Sequence, residues 1–180
     1  MKSSDSHNKI SIINLTIIAA MAAILEVAKI SLSFLPNIEL VSLLLILFTL
    51  EFGIKRVLPA CMIFILVESL IWGVGLWTVQ YIYVWPILIL LTDRLKKIHQ
   101  KWVYVVLSAA YGLLFGLLCS LVMFLIGSPT AAFAWWIAGI PYDLLHCAGN
   151  FVTAMLLFTP LSTAVHKISV RYYSMTEHKI

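Results

Sequence analysis

Six apolar runs follow one another along the chain, covering residues 12–34, 38–52, 57–72, 77–91, 103–126 and 140–165. Only short polar breaks separate them: Leu35-Pro36-Asn37, Gly53, Gly73-Val74-Gly75, the charged stretch Asp93–Lys101, and Gly127-Ser128-Pro129-Thr130 with the Ala- and Trp-rich stretch that leads to Gly139. A membrane span takes about 20 mainly apolar residues. The runs are continuously apolar rather than alternating, which selects helices over the strands of a membrane barrel. With 62% hydrophobic and 11% charged residues, against roughly 45–50% and 25% in soluble domains, too little polar surface remains to coat a free globule. The sequence predicts an all-α integral membrane protein, a multi-pass bundle of six transmembrane helices with almost nothing outside the bilayer.

Lys and Arg set the orientation. Eleven of the twelve fall in the N-terminal tail, the second and fourth connections and the C-terminal tail, and the other three connections hold none. Short loops rich in Lys and Arg stay in the cytoplasm, so both termini are expected there. The expected division is a cytoplasmic tail at 1–11, a transmembrane domain at 12–166 and a second cytoplasmic tail at 167–180. The net charge of +4 then orients the chain and attracts anionic lipid; it is no nucleic-acid patch. The polar start before a long apolar run does not fit a cleavable signal peptide.

Several chemistries lack their residues. No G-x-x-x-x-G-K-[ST] loop is present to cradle the phosphates of ATP. Cys61, Cys119 and Cys147 lie far apart in apolar stretches, which fits buried packing better than a zinc site or redox pair. No metal ligand set or bound cofactor is expected.

Charge inside a membrane is expensive and marks candidate sites. Glu26 and Lys29, three residues apart, either neutralise each other or line a pocket. Glu68 lies in the third run. Glu51 precedes Lys55 by four residues, the spacing of a helical ion pair. Asp143, His146 and Asn150 share one helical face. Either that face points polar groups into the bundle, or Asp143 caps a helix start behind Pro141 and satisfies His146. The outer side is also crowded with aromatics, including Trp72, Trp77, Tyr81, Trp85, Trp135, Trp136 and Tyr142. An interfacial belt accounts for only part of them. The excess suits an aromatic-lined pocket, in which Gln80 would add an orienting hydrogen bond.

Ala19, Ala20, Ala22 and Ala23 give the first helix a small-residue face. In lipid such faces let another helix approach closely. Gly112-x-x-x-Gly116 offers the same inside the bundle.

Six short helices with both ends inside, Ala19-x-x-x-Ala23 and a polar, aromatic outer pocket in 180 residues resemble the substrate-binding S-components of energy-coupling factor (ECF) vitamin transporters. The stretches 34–40 and 139–161, from Phe34-Leu35-Pro36-Asn37 and from Gly139-Ile140-Pro141-Tyr142-Asp143, are similar to stretches in that family. The resemblance spans essentially the whole chain and names no substrate. It implies high-affinity capture of a vitamin or precursor from outside, followed by uptake with a membrane scaffold subunit and two cytoplasmic ATPases that use ATP on its behalf. The chain itself would be no enzyme. The resemblance assigns scaffold docking to the alanines and substrate binding to Trp72, Trp77, Gln80, Tyr81, Trp135, Trp136, Asp143, His146 and Asn150, with Asn37 and Glu39 as lid residues.

Charge narrows the ligand. Glu39, Glu68 and Asp143 approach the outer half, where Lys29 is the only base. Anions are held by Arg or Lys, so a neutral or cationic heteroaromatic or a cobalamin-type corrinoid fits better than a dicarboxylate. Two other classes stand beside this one. One is an autonomous secondary transporter relaying protons through Glu68 or Asp143; the other is an intramembrane enzyme built on Asp143-x-x-His146.

Overall fold

The structure, a computed structural model, describes residues 12–177. The expected N-terminal tail and the last residues of the C-terminal tail lie outside them. Six helices and no strands occur among the described residues: α1 (Ile12–Ser31), α2 (Val41–Phe52), α3 (Ile54–Trp72), α4 (Leu76–Leu95), α5 (Lys101–Ile126) and α6 (Pro129–Glu177). Of these, α1, α4, α5 and α6 are long and apolar enough to cross a membrane. Helix α3 has 19 residues, about 28 Å, but carries Lys55, Arg56 and Glu68.

Helix α2 is the exception in length. Its 12 residues rise about 18 Å, short of a hydrocarbon core of about 30 Å. Almost all of it is buried, from Val41 to Thr49 without interruption, and it touches all five other helices. A helix that is apolar all round belongs in a core rather than on a surface. The exposed apolar surface falls to its neighbours, where Leu70 and Leu125 are 77% and 80% exposed. Outward apolar surface on that scale is untenable in water and normal in a bilayer.

Helix α6 differs most from the sequence reading. Ser128 caps it, its Oγ accepting from the Ala131 N–H at 3.1 Å, and Pro129 fits the first helical position because its missing N–H would be unpaired there anyway. The Ala- and Trp-rich stretch expected as a connection therefore forms the opening turns. The helix continues through Pro141 and Pro160 for 49 residues, about 73 Å. The segment expected as a tail from 167 is helical to Glu177.

Helices α5 and α6 form the most extensive pair in the bundle. A Cβ on Gly112 would stand 2.9 Å from the His146 carbonyl carbon, and one on Gly116 only 2.4 Å from Asp143 Oδ2. These two glycines bring the polar face of α6 against α5.

Helix starts and ends alternate, so Lys55, Arg56, the α4–α5 loop and the end of α6 share one end of the bundle. There Glu51 accepts from Ser169 Oγ at 2.6 Å and pairs with His166 Nδ1 at 3.0 Å. It does not make the expected helical pair with Lys55. Gly53, with φ of 73°, ends α2 between them, so the four-residue spacing no longer stacks the two on one helix. Arg56 Nε donates to Tyr172 Oη at 2.7 Å and to Asn14 Oδ1 at 3.2 Å, and Tyr172 also bonds Asn14.

Candidate ligand-binding site

At the opposite end, the loop between α1 and α2 closes over three adjoining chambers of about 270, 220 and 470 Å³. Tyr81 lines all three, and Trp77 lines two. Trp77, Tyr81 and Trp85 recur every fourth residue and so share one face of α4. Their rings pack edge-on, at 5.3 Å from Trp77 to Tyr81 and 5.4 Å from Tyr81 to Trp85. Phe115 of α5 extends the row, 5.4 Å from Trp85 and 4.9 Å from the His146 ring. An apolar wall with a few fixed polar groups is the usual make-up of a small-molecule site.

The first chamber lies directly under the loop. Asn37, in the left-handed region at φ 57° where asparagine is tolerated, turns the chain over it. Glu39 then anchors the loop twice. One carboxylate oxygen accepts the Ser42 N–H at 2.8 Å, and the other pairs with His146 Nε2 at 3.3 Å. Burial opposes the charge on Glu39, but the bonds from His146 and Ser42 outweigh it and hold its carboxyl below the usual value of 4.5. The His146 side-chain hydrogen bond thus goes to Glu39 rather than to Asp143.

Lys29 separates the first two chambers. It lies 3.6 Å from Glu68 and donates to Tyr81 Oη at 2.9 Å, so it reaches across to α3 and α4 rather than pairing with Glu26 alone. The Glu26 carboxyl interacts with that of Glu68. No N–H or hydroxyl donates to either Glu26 oxygen or to Glu68 Oε1.

The third chamber is bounded by Trp77, Gln80, Trp135, Tyr142 and Asp143. Asp143 stands well inside α6 rather than at a cap. Its Oδ1 accepts the Gly116 N–H at 2.8 Å, while its buried Oδ2 receives no hydrogen bond. Gln80 Nε2 donates to the Cys119 carbonyl at 3.2 Å. Buried Trp85 Nε1, beside the first chamber, has no acceptor.

Of the residues singled out in the sequence, Trp72, Trp77, Gln80, Tyr81, Trp135, Asp143, His146, Asn37 and Glu39 all line these chambers. Trp136 and Asn150 line none of the three. Trp136 packs against Phe133, and Asn150 donates to the Ser108 carbonyl at 3.1 Å and to Ser42 Oγ at 3.3 Å, tying α6 to α5 and α2. Trp85 and Tyr142, counted among the outer aromatics, also line the chambers, and Phe115 of α5 joins the site unannounced. Ala19 and Ala23 are exposed on α1, Ala20 is half-buried, and Ala22 faces the core at 4% exposure. Among the described residues, no group of three His, Cys, Asp or Glu side chains is arranged to hold a metal ion.

Comparison with protein-family models, with curated proteins and with solved structures found no match to this chain.

Proposed function

We propose that this chain is the substrate-binding membrane subunit of an ECF-type uptake system, with six membrane-embedded helices and both termini in the cytoplasm. It captures a small vitamin-like heteroaromatic from outside. The observation that carries this reading is the set of chambers around Tyr81, aromatic on their walls and holding a buried carboxylate oxygen, Asp143 Oδ2, that no protein group satisfies. An unsatisfied buried acceptor costs about 1–3 kcal/mol, and a flat ring bearing an N–H donor in the largest chamber offsets that cost at Asp143 Oδ2.

Chamber size favours the smaller of the two expected ligand classes. The largest, about 470 Å³, suits a one- or two-ring compound, whereas a corrinoid macrocycle with its nucleotide arm exceeds it. Release on the cytoplasmic side, in this reading, depends on a scaffold subunit docking at the exposed Ala19 and Ala23, with ATP hydrolysed by two partner ATPases. Ala22, turned to the core, takes no part in that contact.

The test begins with the mass of any small molecule retained by the protein purified in detergent, and with quenching of its tryptophan fluorescence on titration with that compound. Replacing Ala19 and Ala23 with Trp is expected to abolish cellular uptake and recovery of the partner subunits while leaving the affinity of the purified chain unchanged. If affinity falls with uptake, the alanines pack the bundle instead. The Glu26–Glu68 carboxyl pair beside Lys29 gives a secondary transporter its one specific support. Uptake by the chain alone in proteoliposomes, driven by a proton gradient, would establish that alternative.

A further inference from the structure

A fourth cavity, independent of the ligand chambers, lies at the basic end of the bundle. It is a groove of about 620 Å³ between the first half of α1 and the last turns of α6. On α1 it is walled by Ile13, Ile17 and Ala20, and on α6 by Ile168, Tyr172 and Met175. The α1 residues recur at intervals of four and three, forming a stripe about 10 Å long on one face. Thr16, the other α1 residue in the wall, spends its hydroxyl on the Ile12 carbonyl at 2.9 Å. The interior is therefore apolar.

Its rim is not. Lys167 and Arg171 both line the groove, four residues apart and so on one face of α6. Neighbouring charges are already occupied: Arg56 by Tyr172 and Asn14, Glu51 by Ser169 and His166. Neither Lys167 nor Arg171 has a side-chain partner among the described residues. Two unpaired cations beside an apolar slot are complementary to a molecule with an anionic head and a hydrocarbon tail. The position agrees, because both bases share their end of the bundle with Lys55 and Arg56, which is the headgroup level in the proposed membrane orientation.

We infer that this groove is a binding site for one anionic phospholipid, its phosphate held between Lys167 and Arg171 and an acyl chain lying along Ile13, Ile17 and Ala20. Tyr172, fixed by Arg56 Nε at 2.7 Å, forms a rigid part of the wall. Bound there, the lipid bridges two helices that otherwise touch little.

Native mass spectrometry of the delipidated full-length chain, titrated with dioleoyl-phosphatidylglycerol or dioleoyl-phosphatidylcholine, tests the site. One phosphatidylglycerol is expected to bind in preference to phosphatidylcholine. K167Q is expected to weaken it about fivefold, and K167Q with R171Q about thirty-fold, to the level of phosphatidylcholine. Both side chains are exposed, so thermal unfolding should not change in these variants. A20W should exclude both lipids by filling the slot. Equal binding of the two lipids by the unaltered chain overturns the inference, as does a preference that survives the double substitution. Complete displacement by inorganic phosphate would reduce the site to an anion contact and equally overturn it. So would a photo-crosslinker at Met175 that captures a partner protein while phosphatidylglycerol fails to compete.

Discussion

At the basic end of the bundle, Glu51 receives bonds from Ser169 and His166, and Arg56 is engaged by Tyr172, Asn14 and the Phe52 carbonyl. At the opposite end Asp143 Oδ2 and Trp85 Nε1 are buried with no partner, and Glu68 faces a second carboxyl, that of Glu26. Both ends place charged side chains between helices; Glu51 and Arg56 are satisfied internally at the basic end, whereas Asp143 at the chamber end is satisfied at only one of its two oxygens. The Glu51 and Arg56 networks tie α6 to α1, α2 and α3, and they are as complete as a structural joint requires. The chamber end holds the same kinds of groups in a half-satisfied state, which is costly for packing and useful for recognition. Polar residues near a membrane thus divide by how many of their hydrogen bonds the protein itself supplies.

The largest effect is expected where the chamber end depends on close helix approach. Gly112 faces the His146 backbone, which, unlike a flexible side chain, cannot swing aside. Gly112→Val is expected to destabilise the chain by about 3 kcal/mol through overpacking, read as a lower unfolding temperature in detergent, and to abolish ligand binding by pushing Asp143 and His146 away from α5. Wild-type stability in this variant would mean that α5 and α6 do not touch at the glycines.

Next comes a paired substitution that separates the two ends directly. Asp143→Asn keeps an oxygen for the Gly116 N–H but removes the charge facing the third chamber. Ligand affinity is expected to fall ten- to a hundred-fold, about 1.5–3 kcal/mol for a charged hydrogen bond, with the unfolding temperature nearly unchanged. Glu51→Gln should do the reverse, lowering stability by about 1 kcal/mol and leaving affinity intact. Calorimetric titration and thermal unfolding of both variants check this crossing pattern. Parallel effects at the two ends would remove the distinction between joint and site.

Much of this arrangement was legible in the sequence for physical reasons. The membrane character followed from uninterrupted apolar runs, and the clustering of Asp143 and His146 with the α4 aromatics followed from helical spacing and the scarcity of buried charge. Helix lengths were less legible. A 12-residue core helix and a span both read as continuous apolarity, so nothing in 38–52 announced that α2 is surrounded by its neighbours. The extent of α6 was hidden because Gly127-Ser128-Pro129 reads equally as a loop or as a capped helix start, and because the internal prolines looked like boundaries. Partner identity was least legible. Spacing placed Glu51 near Lys55 and Glu26 near Lys29, but Gly53 separates the first two, and Lys29 reaches Tyr81, 52 positions away in the chain. Long side chains choose partners across helices, and local spacing carries no trace of that choice.

The last of these effects concerns Glu39, the one charged group at the chamber end whose carboxylate is fully engaged. It caps the start of α2 through the Ser42 N–H and holds the loop to α6 through His146, so in hydrogen bonding it resembles the basic end while standing over the ligand site. Its carboxyl is held below 4.5 in the folded chain, so the folded state binds the proton less readily than the unfolded one. The stabilisation is therefore complete above the ordinary carboxylate range and is lost as pH falls through the lowered folded value. Glu39→Gln is expected to cost about 1–2 kcal/mol at pH 7, and the gap between wild type and variant in thermal unfolding should narrow steadily on acidification below pH 4.5. Because the loop roofs the first chamber, the variant should also release bound ligand faster, by about tenfold for a loss of 1.4 kcal/mol, with association little changed. A gap that stays constant across that pH range would show that Glu39 holds the loop by shape rather than charge. The contrast between a self-satisfied joint and an unsatisfied site would then stop at the loop.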